Sequence, residues 1–91
     1  MIKLNKELYL EIKKIHKANG LFDSFQDDKY LIQIDERLSF KKTIEVLFHE
    51  IINYLYEKGK VNRNVNDERL AKQVERITEK ALTYILKRYF K

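Results

Sequence analysis

The stretch Thr43-Ile44-Glu45-Val46-Leu47-Phe48-His49-Glu50-Ile51-Ile52-Asn53-Tyr54-Leu55 decides how this chain is read. Ile44, Leu47, Phe48, Ile51 and Leu55 recur with the period of an amphipathic helix and make one near-continuous stripe that is expected to be buried. Val46, His49, Glu50 and Asn53 occupy the stripe beside it, so the polar residues fall at the edge of the core, where the floor of a cleft would lie. Ser39 is a suitable N-cap and Lys58-Gly59 a suitable stop, which predicts a helix running from Ser39 through Glu57.

Working outward, Tyr30-Leu31-Ile32-Gln33-Ile34 is the clearest strand, followed by a turn at Asp35. Leu31 and Ile32 are adjacent and both apolar, so the strand is expected to be covered on both faces or to pair with residues near Phe22 and Phe25. Residues 21–28 mix aromatics with Asp23, Ser24, Asp27 and Asp28, the composition of a short strand or loop and a turn. Further back, Asn5 has the chemistry of an N-cap and Leu4 and Tyr9 bracket it at staple spacing. Leu8, Ile12 and Ile15 recur at helical spacing before Asn19-Gly20, which predicts a first helix over 6–18.

Downstream, the polar connector 60–65 leads to Asn66, an N-cap with Asp67 and Glu68 in the first turn, where acids suit the helix dipole. Leu70, Val74, Ile77, Ala81 and Ile85 give this third helix a buried face that runs toward Tyr89. The expected fold is α+β: one helix-dominated domain over 1–91, with three helices and a very small β-sheet or hairpin.

Bulk properties narrow the function classes. The 91 residues support one modest core. There is no cysteine, which excludes disulfides and thiolate metal sites, so any zinc would need His, Asp or Glu. The absence of proline and the presence of only two glycines favour long helices. Nineteen basic residues against fourteen acidic ones give a net charge of +5 spread along the chain, which permits an acidic partner or nucleic acid and demands neither. No run approaches the roughly 18 apolar residues of a membrane span, and the charged residues 1–7 do not resemble a signal peptide. A cytoplasmic protein without membrane attachment is expected.

The chemistry centres on His49 and Glu50. In an HExxH helix, two histidines four residues apart bind one Zn²⁺ and the glutamate between them polarises the bound water. Here Asn53 stands where the second histidine would be, and a neutral amide oxygen is a far poorer zinc ligand than imidazole. With the preceding strand, the Asp35 turn and Ser39, the stretch 30–56 resembles the small zincin-type metallopeptidases of bacteriophages and other mobile elements. In those proteins a strand and turn precede the HExxH helix, and a later helix contributes an acidic ligand.

The resemblance implies His49 as a metal ligand, Glu50 as the catalytic base if the protein is active, and a third ligand from the last helix. Glu68 and Glu75 are the candidates, with Glu79 continuing their stripe; all three equally suit a solvated helix face. Asn53 could instead bond His49 across one turn. His16 reads as an ordinary surface or half-buried histidine, able to approach the site only if the first helix packs beside the second. Lys87, Arg88 and Lys91, mixed with Tyr84, Tyr89 and Phe90, could meet nucleic acid, although basic residues at a helix end also complement its dipole.

The degenerate motif leads to an expectation of no cofactor, with zinc as the alternative, and of a non-catalytic protein-binding module. Its surface would include His49, Glu50, Asn53 and the acids of the last helix. The expected partner is a host protein or a protein of a competing element, which the module inhibits or modulates. An active zinc peptidase with an atypical ligand set is one alternative, and a nonspecific nucleic-acid-binding protein another. Monomer and homodimer are both compatible with the sequence.

Overall fold

Leu8, Leu10 and Ile12 are buried while Tyr9 and Glu11 between them are half-buried and Lys13 is exposed, which is the two-residue period of a strand. In the computed structural model of the chain, which describes residues 1–26, 28–59 and 68–90 with the side chains of 68–70 left aside, this segment is β2 (Leu8–Lys13). The remaining elements are β1 (Ile2–Lys3), β3 (Gly20–Ser24), β4 (Tyr30–Asp35), α1 (Phe40–Glu57) and α2 (Glu68–Tyr89). The first helix predicted over 6–18 is therefore corrected. Among the described residues the fold is α+β with two helices and a four-stranded mixed sheet, in place of three helices and a minimal sheet.

The same polar chemistry serves a different end here. Asn5 Oδ1 accepts from the backbone N–H of Glu7 at 2.9 Å and of Leu8 at 2.8 Å. It thus builds a turn between β1 and β2 where a helix cap was expected. The strand order is β1-β2-β4-β3, with β2 and β4 parallel at the centre and antiparallel partners outside. Phe22 of β3 pairs with Ile32 of β4, one of the two arrangements expected for that strand.

Leu8, Leu10, Ile12, Ile32 and Ile34 point to one face, where Leu47, Ile51 and Tyr54 of α1 and Ile77, Ala81 and Ile85 of α2 complete the core. Tyr9, Glu11, Leu31 and Gln33 lie on the other face and are only half-buried. Within α1, Thr43 and Tyr54 are fully buried, whereas Phe48, expected inside, is 43% exposed. The sheet lies on one side of α1 and the core is closed by α2 on another, which leaves Phe48 outside both.

Two polar knots fix the helices. Ser39 caps α1 by accepting from the Lys42 N–H, and the helix ends at Lys58 followed by Gly59, whose φ of +66° suits a residue without a side chain. Tyr89 near the end of α2 donates to the Leu38 carbonyl at 2.7 Å and lies 2.8 Å from the Thr43 hydroxyl, joining the last turn of α2 to the first turn of α1. The N-cap expected at Asn66 and the connector 60–65 lie outside the described residues. Among those described, no helix is long and apolar enough to cross a membrane.

Between β4 and α1, the Arg37 guanidinium grips the Asp35 carboxylate with two bonds, at 3.0 and 2.8 Å, and also donates to the Ile15 carbonyl. These hydrogen bonds hold the Asp35 carboxyl down at about 2 against an ordinary 3.8, with partial burial acting in the opposite direction. The depressed value makes the stabilising effect complete above the unfolded value and lost as the pH falls through the folded one. The wild-type melting temperature is therefore expected to drop more steeply between about pH 4 and pH 2 than that of Asp35→Asn, which starts lower at neutral pH; parallel curves would remove this role.

Candidate functional site

The helical period of α1 brings Val46, His49, Glu50 and Asn53 toward the edge of the sheet formed by β3. Val46 and Glu50 are buried, Asn53 is half-buried and His49 is exposed. Glu50 is 5% exposed, and such a carboxylate needs hydrogen-bond donors. Its donor is Asn53, whose Nδ2 donates to Glu50 Oε1 at 2.8 Å. The Asn53 amide therefore engages the glutamate and not His49.

The other wall of the site comes from Gly20. A side chain added there would collide with Val46 Cγ1 and come within 3.0 Å of Glu50 Oε2. Gly20, expected to stop a helix in a left-handed conformation, instead opens β3, and its role is close approach of strand to helix. Together Asn19, Gly20, Lys42, Glu45, Val46, His49 and Glu50 line an open pocket of about 410 Å³. Its rim carries the Lys42–Glu45 ion pair at 3.5 Å, both side chains about half exposed, which contributes little to stability.

The site thus joins His49 and Glu50, with Asn53 behind Glu50. It does not bring in the last helix. Glu75 and Glu79 are exposed on α2 and neither lines this pocket; Glu79 lies instead beside a cavity of about 560 Å³ between the β1–β2 turn and α2. The Glu68 side chain lies outside the described residues, as does Lys91. His16 is exposed in the connection between β2 and β3 and does not line the pocket.

Zinc in a hydrolytic site needs three protein donors and an open position. The pocket offers His49, Glu45 and a Glu50 already bonded to Asn53. Among the described residues, no group of three His, Cys, Asp or Glu is placed to hold a metal ion. Among the described residues, this donor set falls short of what a catalytic zinc needs.

Asn19 and Gly20, expected as a helix stop, join Lys42 and Glu45 as site residues that the sequence pattern does not single out. Lys42 and Glu45 lie on the turns before His49 and could have been found from helical spacing. Asn19 and Gly20 arrive from another strand, and their proximity has no local signal.

β3 is the last strand in the sheet order, so one side of its backbone faces away from the sheet. Asn19 accepts from Asp35 N–H at 2.8 Å and Phe25 N–H donates to Lys29 at 2.9 Å, so the odd-numbered residues bond β4 and Gly20 and Phe22 present their backbone groups outward. The Ser24 N–H is taken by Asp23 Oδ1 at 2.8 Å. No protein-family profile, curated protein or solved structure matches this chain.

The contact between Gly20 and α1 is testable. Gly20→Ala is expected to destabilise the wild type by about 1–3 kcal/mol through overpacking. It should cost much less in a Val46→Ala background, a coupling that urea unfolding of the four proteins would measure. Additive losses would show that the strand and helix do not meet at this point.

Proposed function

We propose that this chain is a non-catalytic protein-binding module on a zincin-like scaffold of phage or mobile-element origin, acting in the cytoplasm. It takes an extended segment of a host or competing-element protein along β3 and thereby inhibits or modulates that protein. The observation that carries this reading is the Asn53–Glu50 hydrogen bond beside the edge of β3, which has no strand partner on its outer side among the described residues. A glutamate that polarises a metal-bound water must present its carboxylate to that water. Here one oxygen is held by an amide. What remains available is a peptide-sized pocket beside the outward N–H and C=O groups of Gly20 and Phe22, the elements of recognition by strand addition.

In this reading, main-chain pairing with Gly20 and Phe22 provides attachment, and the pocket selects the partner's side chain. Glu50 favours a cationic group there, Glu45 being already paired with Lys42, while His49, exposed on the rim, offers a ring to pack against. Asp23 limits pairing to the first part of β3 by occupying the Ser24 N–H, a restraint on indiscriminate edge-to-edge association.

Two measurements test the proposal. Elemental analysis of protein purified without a histidine tag should give well under one zinc per wild-type chain and more in Asn53→His. About one zinc per wild-type chain, with peptide cleavage lost in Glu50→Gln, would replace the binding module with a peptidase. A photoreactive phenylalanine substituted at Leu21 should yield a discrete protein adduct, and one at Lys80 none. Equal labelling from both positions would remove β3 as the contact.

A further inference from the structure

We infer that the groove between β1 and α2 binds single-stranded nucleic acid, with the cations along its walls on the phosphates and its apolar floor under the bases. It lies at the opposite edge of the sheet from β3 and depends on nothing proposed for the His49 pocket. Two neighbouring cavities make the groove. One of about 560 Å³ lies against the β1–β2 turn and is lined by Lys6, Arg76 and Lys80; the other, of about 320 Å³, lies against β1 and is lined by Lys3, Lys80 and Lys87. Glu79 and Lys80 line both, so the two follow one another along α2.

The sequence sets these charges in line. Arg76, Lys80 and Lys87 recur at the spacing of one helix stripe, which runs for about 16 Å. Lys3 and Lys6 stand across from it on the strand and the turn. All five cations are exposed, and among the described residues none of them is held in an ion pair, whereas Arg37, Lys42, Lys58 and Arg88 each are. The basic end of α2 is therefore divided: Lys87 joins the groove, and Arg88 turns to Glu36. Glu7, one of the two acids lining the groove, is bridged by Lys58 and accepts from the Tyr54 hydroxyl, which leaves Glu79 to offset the five cations.

The form of the groove selects the anion. Cations that converge on one point suit a single phosphate; these are strung along an axis, as a repeating charge requires. Between them lie Leu4 and Ile77, both buried, and farther along Ile2 and Tyr84, both half-buried. A flat base can settle on this apolar strip. A duplex does not offer one, because its base faces are covered by their neighbours, and an acidic peptide does not carry a ring beside each charge. A single strand brings a phosphate and a base in every unit, and the length of the stripe suits about four of them, the size of a small single-strand site.

The probe is a fluorescein-labelled single strand of about 20 thymidines, with the matching duplex and a polyglutamate peptide of similar length as controls. Fluorescence anisotropy against the full chain should show the single strand bound tightest. Neutralising about four phosphates should make its affinity fall roughly 50-fold between about 50 and 200 mM salt. Arg76→Gln with Lys80→Gln should weaken binding by about tenfold or more at the lower salt and flatten the salt dependence, with the melting temperature little changed. Glu79→Gln should tighten binding about twofold or more, a gain that a folding defect does not produce. Lys14→Gln with Lys41→Gln removes the same charge from outside the groove and should change affinity by less than about threefold. Leu21→Ser on β3 should leave binding intact, which separates this groove from the His49 pocket. No binding at the lower salt, binding that does not fall as salt rises, or equal losses from the two double variants would overturn the inference. So would a duplex or polyglutamate bound as tightly as the single strand, because the occupant would then be double-stranded nucleic acid or an acidic protein segment.

Discussion

The phenol of Tyr54 meets three parts of the chain that are far apart in sequence. Its ring is fully buried and sits edge to face against Phe22 at 6.2 Å and Tyr30 at 5.7 Å, so α1 is seated on β3 and β4. Its hydroxyl donates to Glu7 at 2.7 Å and accepts from Asn5 at 3.1 Å, so the same side chain holds the β1–β2 turn. Glu7 is also bridged by Lys58 at 3.0 Å, at the end of α1. Burial, reinforced by the Glu7 carboxylate, pushes the hydroxyl up to about 12, and it remains a donor throughout the physiological range. A phenylalanine here would keep the ring contacts and lose the hydroxyl's bonds to Glu7 and Asn5.

The candidate site depends on this seating. Because Tyr54 and Leu47 fix the rotation of α1 on the sheet, Val46 and Glu50 face β3, and Gly20 is the residue that lets the strand approach. Had α1 turned by one position, His49 would occupy the buried place of Glu50. The packing thus buries the carboxylate and exposes the imidazole, and Asn53 satisfies the carboxylate from the next turn.

Much of this was legible in the sequence, and the failures have identifiable causes. Ser39, the α1 period and the Gly59 stop are local signals, as is the strand before Asp35, and each appears where expected. The segment 6–18 was ambiguous because Leu8, Ile12 and Ile15 satisfy a helical period while Leu8, Leu10 and Ile12 satisfy a strand period. Asn5 caps helices and turns with the same side-chain oxygen. The sheet partners decided the matter: Leu8, Leu10 and Ile12 pair with Tyr30, Ile32 and Ile34, a contact that local propensity does not encode. Phe48 lies outside the core because the apolar arc of α1 is wider than the surface that covers it. His49 and Glu50 were placed at the edge of the core, but Gly20 opposite them comes from a non-local strand.

The parallel pairing of β2 with β4 has a consequence for the order of assembly. β3, β4 and α1 follow one another closely in the chain, so an antiparallel hairpin and the helix that covers it can form from neighbouring chain. β2 has no such advantage, because Glu11 is 22 residues from its partner Gln33. During synthesis β2 leaves the ribosome before the central strand that will bond it. The strand at the middle of the finished sheet must wait for its central neighbour, and loop-closure entropy makes that pairing slower than the hairpin beside it.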